Sequence, residues 1–298
     1  MRIAVLSQSS HIYSTRRLVE AGRRAGHQMS VIDYMRCSIG VGGPRPVSYQ
    51  GGAFPDIDAC IPRIAASNTL HGVALVRRLE QLGVVTPVGA DALASSRDKL
   101  RCLQLLDHAG VPIPATAFGS DILDARSLVE AVGGPPVVVK VLEGTQGVGV
   151  MLCDTQNGAE STIEALRSLR VDVLVQELVE EARGTDLRCI VVDDRVVAAM
   201  VRTARAGEFR SNLHRGGSSA RSEISERERE VAVAAAKAVG LRLAGVDILR
   251  SARGPLVVEI NSSPGLEGVE KVTRLDIAGA IVRRLAKLGK RGQCRVSA

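Results

Sequence analysis

The sequence has very few aromatic side chains: its 298 residues include three Tyr, three Phe and no Trp. Stacking on aromatic rings is a main means of binding single-stranded nucleic acid, so this composition argues against such a surface. No segment approaches the ~20 consecutive apolar residues that are needed to span a bilayer. The apolar start at residues 1–7 is too short for a signal peptide and predicts a strand instead. We therefore expect a cytoplasmic protein that neither enters a membrane nor binds nucleic acid directly.

Closely spaced cysteines and histidines are also absent. The six cysteines lie far apart in the sequence, and none forms a C-x-x-C pair. This spacing favours small buried side chains in a reducing compartment over disulfides or a zinc site. The five histidines are scattered as well, which gives little support to a histidine-based catalytic triad.

Positive charge is in excess, but it is unevenly distributed. The formal net charge is +7, and six basic residues without any acid follow residue 282, so the preceding chain is nearly neutral. A basic tail of this kind is most often a solvated helix end. A second cluster is more suggestive, because five arginines and a single acid, Glu208, lie within residues 202–221. Such a density of guanidinium groups suits a polyanionic ligand.

Alternating strand and helix patterns predict an α/β protein. Residues 2–6 have strand composition, and Ser14 is placed to cap a helix that ends at Ala25. A further strand pattern follows at residues 29–33. Such a β-α-β opening is typical of a parallel sheet, so we expect one at the N-terminus.

Two stretches predict long loops, and one predicts a domain boundary. Residues 39–52 contain five glycines and two prolines, and residues 203–222 are polar and rich in arginine. Ser96 is expected to cap a helix that ends at Ala109. The segment around this helix is the predicted boundary between a small N-terminal domain and the rest of the chain.

A glycine-rich loop joins two predicted strands, 137–142 and 148–153. It is neither a P-loop nor a Rossmann fingerprint, because no helix follows it. A glycine loop between two strands can cover phosphate groups and offer them backbone N–H groups. Lys140 lies just before this loop in an apolar strand, where an ammonium group needs an anionic partner. The pattern leaves two interpretations open: a phosphate site that includes Lys140, or a hairpin turn with Lys140 in water.

Two neighbouring apolar strands near the C-terminus carry acidic side chains. A three-residue loop centred on Arg253, with Gly254 in the left-handed conformation, would place Asp247 opposite Glu259. Asn261 shares a strand face with Glu259 by the period of two. Oxygen ligands of this kind suit Mg²⁺ or Mn²⁺. The alternative is a solvent-facing strand side, but the apolar flanking residues favour a cation site.

The arginine-rich segment 209–217 combines cations, amide and hydroxyl donors, and two glycines. Donors of these types can neutralise a transferring phosphoryl group or an anionic substrate. The alternative is a solvated surface loop. The local density of arginine favours the anion-binding interpretation.

Several of these segments together resemble the ATP-grasp superfamily, and within it the RimK group of α-L-glutamate ligases. The resemblance rests on the lysine-bearing strand, the glycine loop, a Gln-Glu pair, the arginine run and an acidic strand end, at residues 137–140, 143–149, 176–177, 210–217 and 258–265. Further matching segments are residues 1–7, 61–64, 97–101 and 245–250. The resemblance extends to about residue 285, and the basic tail beyond it matches nothing familiar.

The resemblance implies an α/β fold of the α+β ATP-grasp type. An N-terminal Rossmann-like pre-ATP-grasp domain would precede two ATP-grasp subdomains that hold ATP between them. The expected segments are the N-terminal domain at 1–96, the central subdomain at 97–178, the C-terminal subdomain with the metal site at 179–287, and the basic tail at 288–298.

The resemblance also implies roles for individual residues. Asp247, Glu259 and Asn261 would hold Mg²⁺, as two ions, with Mn²⁺ as an alternative. Arg202 and Arg210 would neutralise the charge of an acylphosphate. The nucleotide would be bound at its phosphates by Lys99 and Lys140, at adenine by the backbone of Glu177 and Leu178, at ribose by Asp186, and at the phosphates or reacting carboxylate by Arg210, Ser211 and Asn212.

The implied reaction is ATP-dependent amide formation. ATP would phosphorylate an acceptor carboxylate, and the amine of L-glutamate would then displace phosphate from the acylphosphate. The implied acceptor is the acidic C-terminal tail of ribosomal protein S-six, which could receive several glutamates in succession. Two alternatives stay open: a related ligase that glutamylates a small cofactor or free polyglutamate, and a non-catalytic ATP-binding module. The sequence also leaves open whether the protein forms a homo-oligomer.

Overall fold

The computed structural model of the chain describes residues 1–120, 123–142, 149–211 and 216–296, with side chains as far as residue 289. The strands in these residues form four sheets. None of the described helices combines the length and the apolar composition that a membrane span requires.

A three-stranded parallel sheet forms the N-terminal part of the molecule. Its strands lie in the order β2 (Gln28–Ile32), β1 (Arg2–Leu6) and β6 (Ala59–Pro62). The apolar side chains of β1 are fully buried. Helices α1 (Tyr13–Arg24) and α2 (Thr69–Gln81) each bury one face. The expected parallel β-α-β opening is confirmed.

The predicted role of Ser14 as a helix cap is wrong. Helix α1 begins at Tyr13, two residues before the start that a Ser14 cap would give, and its N-cap residue Ile12 makes no side-chain capping bond. The Ser14 hydroxyl instead accepts a hydrogen bond of 3.0 Å from the backbone N–H of Leu266, which is 252 residues away in the sequence. Because a buried backbone N–H needs an acceptor, the Ser14 hydroxyl serves this distant N–H instead of capping its own helix.

The predicted role of Ser96 is also wrong. Ser96 lies inside helix α3 (Ala90–Arg97), where its hydroxyl donates to the carbonyl oxygen of Leu93 at 2.8 Å. The next helix, α4 (Lys99–His108), begins after Asp98, whose carboxylate accepts the N–H of Arg101 at 3.0 Å. A carboxylate at the N-cap makes a charge-assisted bond, and it fixes the start of the helix at this position.

The two predicted loops contain strands. Within and beside residues 39–52, the short strands β3 (Cys37–Ile39), β4 (Val47–Tyr49) and β5 (Gly52–Ala53) form an antiparallel sheet, because Cys37 and Val47 are buried in the core. Within 203–222, β13 (Ser218–Arg221) pairs with the strand before it as an edge strand. Three of its four residues are polar, so the hydrophobic pattern gives no signal for it.

The central part of the molecule is an antiparallel sheet with its own apolar core. Its strands, in spatial order, are β7 (Thr116–Phe118), β10 (Val173–Glu177), β8 (Val137–Val141) and β9 (Val150–Cys153). Helices α5 (Ala125–Ala131) and α6 (Gln156–Ser168) contribute apolar side chains to this core. Strands β8 and β9 pair as the predicted hairpin, with Lys140 opposite Val150.

A five-stranded antiparallel sheet forms the C-terminal part. Its strands, in spatial order, are β13, β12 (Arg195–Thr203), β11 (Thr185–Val192), β14 (Leu243–Ser251) and β15 (Gly254–Asn261). The helices of this part are α7 (Glu226–Val239), α8 (Glu267–Thr273) and α9 (Ile277–Val296). One large apolar cluster joins this sheet to the N-terminal sheet, since it includes residues such as Ile3 and Val246. The predicted domain boundaries stay a proposal.

The hairpin between β14 and β15 reaches the expected pairing by another route. Ser251 pairs with Gly254, so the loop has two residues rather than three. The register then shifts between Asp247 and Ile248, because Val258 is an extra residue in β15. This irregularity restores the predicted position of Asp247 opposite Glu259.

Candidate functional site

One face of the C-terminal sheet carries a continuous row of charged side chains. Arg202 on β12 lies opposite Asp186 on β11, and Arg188 on β11 lies opposite Asp247 on β14. Asp247 in turn lies opposite Glu259 on β15. Because side chains alternate between the faces of a strand, Asp186 and Arg188 lie on the same side of β11. The row therefore crosses four neighbouring strands: cations and anions alternate from Arg202 to Asp247, and Glu259 adds a second carboxylate beside Asp247.

Asp247 is the buried centre of this row. Its carboxylate accepts two hydrogen bonds from Arg188, one from Nε to Oδ1 and one from a terminal nitrogen to Oδ2 at 2.6 Å. Arg202 approaches Oδ2 to 2.8 Å and also binds both oxygens of Asp186, at 2.6 and 2.5 Å. Burial opposes ionisation of Asp247, but the two guanidinium groups hold its pKa below the usual value. Burial also opposes the charge of Arg202, yet Asp247 and Asp186 raise its pKa.

Glu259 lies beside this centre in a different environment. Its side chain is exposed, but protein atoms surround it closely enough that desolvation raises its pKa, and the neighbouring Asp247 carboxylate adds to the effect. An open carboxylate with dense surroundings is typical of a cleft. Two residues further on, Asn261 accepts the N–H of Ser263 on Oδ1 at 3.0 Å. Its amide oxygen therefore has a fixed orientation.

These three residues fit a divalent cation by their donor chemistry. Among the described residues, no group of three or more His, Cys, Asp and Glu side chains could hold a metal. The set Asp247, Glu259 and Asn261 instead offers two carboxylates and one amide oxygen. A carboxylate has about four lone-pair sites, and the arginines occupy most of those on Asp247. Glu259 and Asn261 therefore have more oxygen lone pairs available for a metal than Asp247 has. The metal assignment stays a prediction.

Lys140 points to a protein group rather than into water. Its Nζ donates to Oε1 of Gln176 at 2.6 Å. Burial lowers the pKa of Lys140 from 10.5 to about 8; Glu259 opposes this shift and Lys99 adds to it. A nearby anion would stabilise the charged form of this buried lysine, as expected for a phosphate contact.

Lys99 reaches the same region from the start of α4. Its Nζ donates to the carbonyl oxygens of Val141 and Leu142 at 2.9 and 2.7 Å. These carbonyls end β8, directly before the glycine loop. The structure therefore brings both predicted phosphate ligands, Lys99 and Lys140, to one strand end. Residues 143–148 of the glycine loop lie outside the described residues.

The predicted adenine and ribose contacts are engaged in protein contacts here. The backbone N–H of Glu177 donates to the carbonyl of Ala115 at 2.9 Å. The Glu177 carboxylate accepts the N–H of Ala115 at 2.7 Å and a terminal nitrogen of Arg253 at 2.6 Å. The N–H of Leu178 makes a long bond of 3.4 Å to the carbonyl of Pro136. Asp186 is bound by Arg202, as described above, so a ribose would have to compete with that guanidinium. All three assignments stay predictions.

The described part of the arginine-rich segment folds back on itself. Arg210 donates to both carboxylate oxygens of Glu208, at 2.8 Å each, and to the carbonyl of Val150 at 3.2 Å. The hydrogen bond to Glu208 raises the pKa of Arg210. Ser211 is buried. Asn212 lies outside the described residues, as do residues 213–215.

Sequence reasoning missed Arg188, which binds Asp247 through two hydrogen bonds. A signal was present: Asp186 and Arg188 alternate with the apolar residues Leu187 and Cys189 in one strand. This period of two places two charged side chains on one face of a strand whose other face is apolar.

Five of the six cysteines, Cys37, Cys60, Cys102, Cys153 and Cys189, are free and buried, as expected. Cys294 lies beyond the described side chains. Burial raises the pKa of the Cys60 thiol to about 12, so it is protonated at neutral pH. A protonated, buried thiol is a poor nucleophile and metal ligand, which agrees with a packing role.

With this geometry described, comparisons with known proteins identify the family. Residues 96–285 match the RimK-like ATP-grasp domain, and residues 1–93 match the RimK PreATP-grasp domain. The chain belongs to the RimK-like ATP-grasp family. The expected family and fold class are therefore confirmed.

Relatives in this family match the chain over almost its whole length. A protein of Ectopseudomonas mendocina (strain ymp) named "Probable alpha-L-glutamate ligase" is 53% identical over 296 residues, which cover 99% of this chain and 98% of the relative. A protein of the same name from Cellvibrio japonicus (strain Ueda107) is 52% identical, with 97% of each chain covered. These names bear out the expected class of ATP-grasp glutamate ligase.

Solved structures show the same fold. The ATP-grasp ligase PsnB, in complex with a precursor peptide and AMPPNP, superposes with a TM-score of 0.74 at 25% identity, covering 97% of this chain and 98% of PsnB. Another PsnB structure holds Mg and ADP, at 25% identity and a TM-score of 0.73, covering 96% of this chain and 97% of PsnB. D-alanine–D-alanine ligase from Bacillus anthracis shares the fold at 17% identity and a TM-score of 0.65, covering 99% of this chain and 98% of the ligase.

Proposed function

We propose that the protein is a cytoplasmic ligase that uses ATP to join L-glutamate to the C-terminal carboxylate of an acidic peptide or protein. The observation that carries this proposal is the convergence of two lysines and a carboxylate: Lys99 donates to the carbonyls of Val141 and Leu142, directly after Lys140, and Glu259 is close enough to influence the pKa of Lys140. The two lysines suit the phosphates of a nucleotide, and the carboxylates suit Mg²⁺.

The reaction has two steps in this proposal. The acceptor carboxylate oxygen attacks the γ-phosphorus of ATP, so an O–P bond forms and the bond to the β-phosphate oxygen breaks, which releases ADP. The neutral amine of glutamate then attacks the acyl carbon. A C–N bond forms, inorganic phosphate leaves, and the amine loses a proton. No side-chain nucleophile is needed, so the protein contributes position and charge.

The residues have separate tasks in these steps. Lys99 and Lys140 bind the nucleotide phosphates. Glu259 and Asn261, with the remaining capacity of Asp247, hold Mg²⁺; we extend the proposal to two ions and to Mn²⁺ as a substitute. The cation screens the charge of the phosphates when it is bound.

Two arginines complete the proposed site. The charge that develops during transfer is neutralised by Arg202 and Arg210. Both guanidinium groups are paired in the structure, with Asp186 and Asp247 in one case and with Glu208 in the other. Catalysis in this scheme requires that each arginine exchange a carboxylate for a phosphoryl or carboxylate group of the substrates.

The acceptor that we propose is the acidic C-terminal tail of ribosomal protein S-six, which receives one or more glutamates. The printed names of the relatives support glutamate as the amine substrate. The PsnB complex with a precursor peptide supports a peptide acceptor for this fold. The adjoining arginines would suit an acidic chain.

The first test is the dependence of ADP release on both substrates. The enzyme with Mg²⁺ and ATP is incubated with L-glutamate alone, with the acceptor alone, and with both. We expect sustained ADP release only with both substrates. ADP release that requires glutamate but no acceptor would indicate extension of free polyglutamate. ADP release that depends on neither glutamate nor the acceptor would identify an ATPase or a simple nucleotide-binding module.

A further inference from the structure

Among the described residues, two arginines at the carboxyl end of the N-terminal sheet have no acidic partner. Arg63 directly follows β6, and its backbone N–H donates to the carbonyl of Leu6 at the end of β1, at 2.9 Å. Arg97 is the last residue of α3. Both side chains are partly buried. The carboxyl ends of parallel strands are where open α/β sheets bind their ligands.

In the part of the chain that the structure describes, the side chains of this pair donate hydrogen bonds to backbone carbonyl groups. Arg63 donates to the carbonyl of Pro264 at 2.8 Å, and Arg97 donates to the carbonyl of Ile64 at 2.7 Å. Among the described side chains, neither guanidinium forms an ion pair. Burial, with a smaller contribution from the nearby Arg97, lowers the pKa of Arg63 to about 10. Two desolvated cations thus lie near each other, and neither makes an ion pair with a carboxylate among the described residues.

Unsatisfied polar atoms collect at the same place. In the described part of the chain, the buried side-chain atoms without a hydrogen-bond partner include Nε of Arg97 and the hydroxyl oxygens of Ser262 and Ser263. Ser262 is fully buried. These serines directly precede Pro264, to which Arg63 donates. Buried donors without protein partners have hydrogen-bonding capacity that a bound group would satisfy.

This place adjoins the charged row of the C-terminal sheet. Gly245 lies between Pro264 and Arg188: a Cβ atom at this glycine would meet Cβ of Pro264 at 2.9 Å and Cδ of Arg188 at 3.4 Å. Arg97 is near enough to Glu259 for that carboxylate to raise its pKa, against the larger lowering by burial. The arginine pair is therefore next to the site proposed for the reaction.

We propose that Arg63 and Arg97, together with the hydroxyl groups of Ser262 and Ser263, bind a carboxylate group of the acidic substrate. This inference rests on the proposed function for the identity of the substrate. A carboxylate would pair with two guanidinium groups and accept from hydroxyls that otherwise have no partner. The carboxylate comes either from L-glutamate or from the acidic acceptor, and the two sources are separated by experiment.

The test measures binding by calorimetry to the protein loaded with Mg²⁺ and AMPPNP. The two probes are L-glutamate and a tri-glutamate peptide. The variants are Arg63→Gln and Arg97→Gln, with Arg63→Lys as the charge-conserving change. The matched control is Arg78→Gln: Arg78 is also a partly buried arginine with an unpartnered Nε, but it bonds to Gln81 in its own helix.

We expect each Gln variant to weaken the binding of one probe at least tenfold, with AMPPNP affinity within twofold of the unaltered protein. A loss for L-glutamate places the amino acid at the pair, and a loss for the peptide places the acceptor there. Arg63→Lys is expected to restore part of the affinity, and Arg78→Gln to change neither probe.

Three results would overturn the inference: unchanged binding of both probes in both Gln variants, no detectable binding of either probe to the unaltered protein, or an equal loss of AMPPNP and probe affinity. The last would mean that the pair only stabilises the junction of the domains. These equilibria need no turnover. A failure of the unaltered enzyme to ligate glutamate would refute the proposed function separately.

Discussion

Replacement of Lys140 by Met should make the protein more stable in the absence of nucleotide and should weaken its nucleotide binding. The lysine has a pKa of about 8 instead of 10.5, chiefly because of burial. At 1.36 kcal/mol for each pH unit, the charged form costs about 3 kcal/mol at pH 7. The variant also loses the hydrogen bond to Gln176, which reduces its gain in stability by about 1 kcal/mol. The Lys140→Met variant should therefore gain about 2 kcal/mol in the free energy of unfolding.

The pH dependence gives the sign of this effect. Between pH 8 and 10.5 the unfolded chain binds more protons at this lysine than the folded chain, so the stability of the unaltered protein rises with pH in this window. The advantage of the Met variant is thus complete below pH 8 and mostly lost by pH 10. Urea unfolding at pH 7 and pH 10 measures it. Lys237→Met, at an exposed helix position, is the matched control and should show no such change.

The same substitution should reduce the affinity for AMPPNP at least tenfold, because the phosphates supply the anion that the buried ammonium lacks. Two results would refute this reasoning. One is a Met variant that is less stable than the unaltered protein at pH 7. The other is a stability gain that persists unchanged at pH 10.

Three further substitutions test other parts of the site. Glu259→Gln should abolish turnover at saturating Mg²⁺ while the melting temperature stays the same or rises, because desolvation and Asp247 already disfavour the Glu259 charge; normal activity would exclude it as a metal ligand. Arg210→Ala should raise the activation free energy of amide formation by about 3 kcal/mol, which slows the reaction roughly a hundredfold to a thousandfold, with a smaller effect on ATP affinity. Arg210→Lys should restore the rate only in part, and a wild-type ligation rate in Arg210→Ala would show that Arg210 has only a surface role. Arg188→Met should destabilise the fold by about 3 kcal/mol in urea unfolding, since it leaves Asp247 buried with one arginine fewer; an unchanged midpoint would contradict the importance of this pair.

The sequence allows prediction of what local periodicity determines. The pairing of Asp247 with Glu259 is predicted from two apolar strands joined by a tight turn, although the structure reaches it through a two-residue turn and an extra residue in β15. The position of Lys140 in a strand before the glycine loop is also predicted from local pattern, and its contact with phosphate stays a prediction.

Features that depend on distant contacts are not visible in the sequence. Ser14 and Ser96 are residue types that often cap helices. In the structure the Ser14 hydroxyl accepts a hydrogen bond from a distant N–H, and Asp98 rather than Ser96 caps the next helix. The binding of Asp247 by two arginines is a further case, because the sequence shows the charges but not which strands are neighbours. The partner of Arg210, Glu208, is local, yet no periodicity predicts a contact between residues two apart in a loop.

The central claim is that this protein attaches glutamate to an acidic C-terminus at the expense of ATP. The most direct measurement is mass spectrometry of ribosomal protein S-six after incubation with the enzyme, Mg²⁺, ATP and isotope-labelled L-glutamate. Our account predicts a mass increase of one or more labelled glutamyl residues at the C-terminus, absent without ATP and absent with the Glu259→Gln variant. An unchanged mass of S-six under conditions in which the enzyme converts ATP to ADP would contradict it.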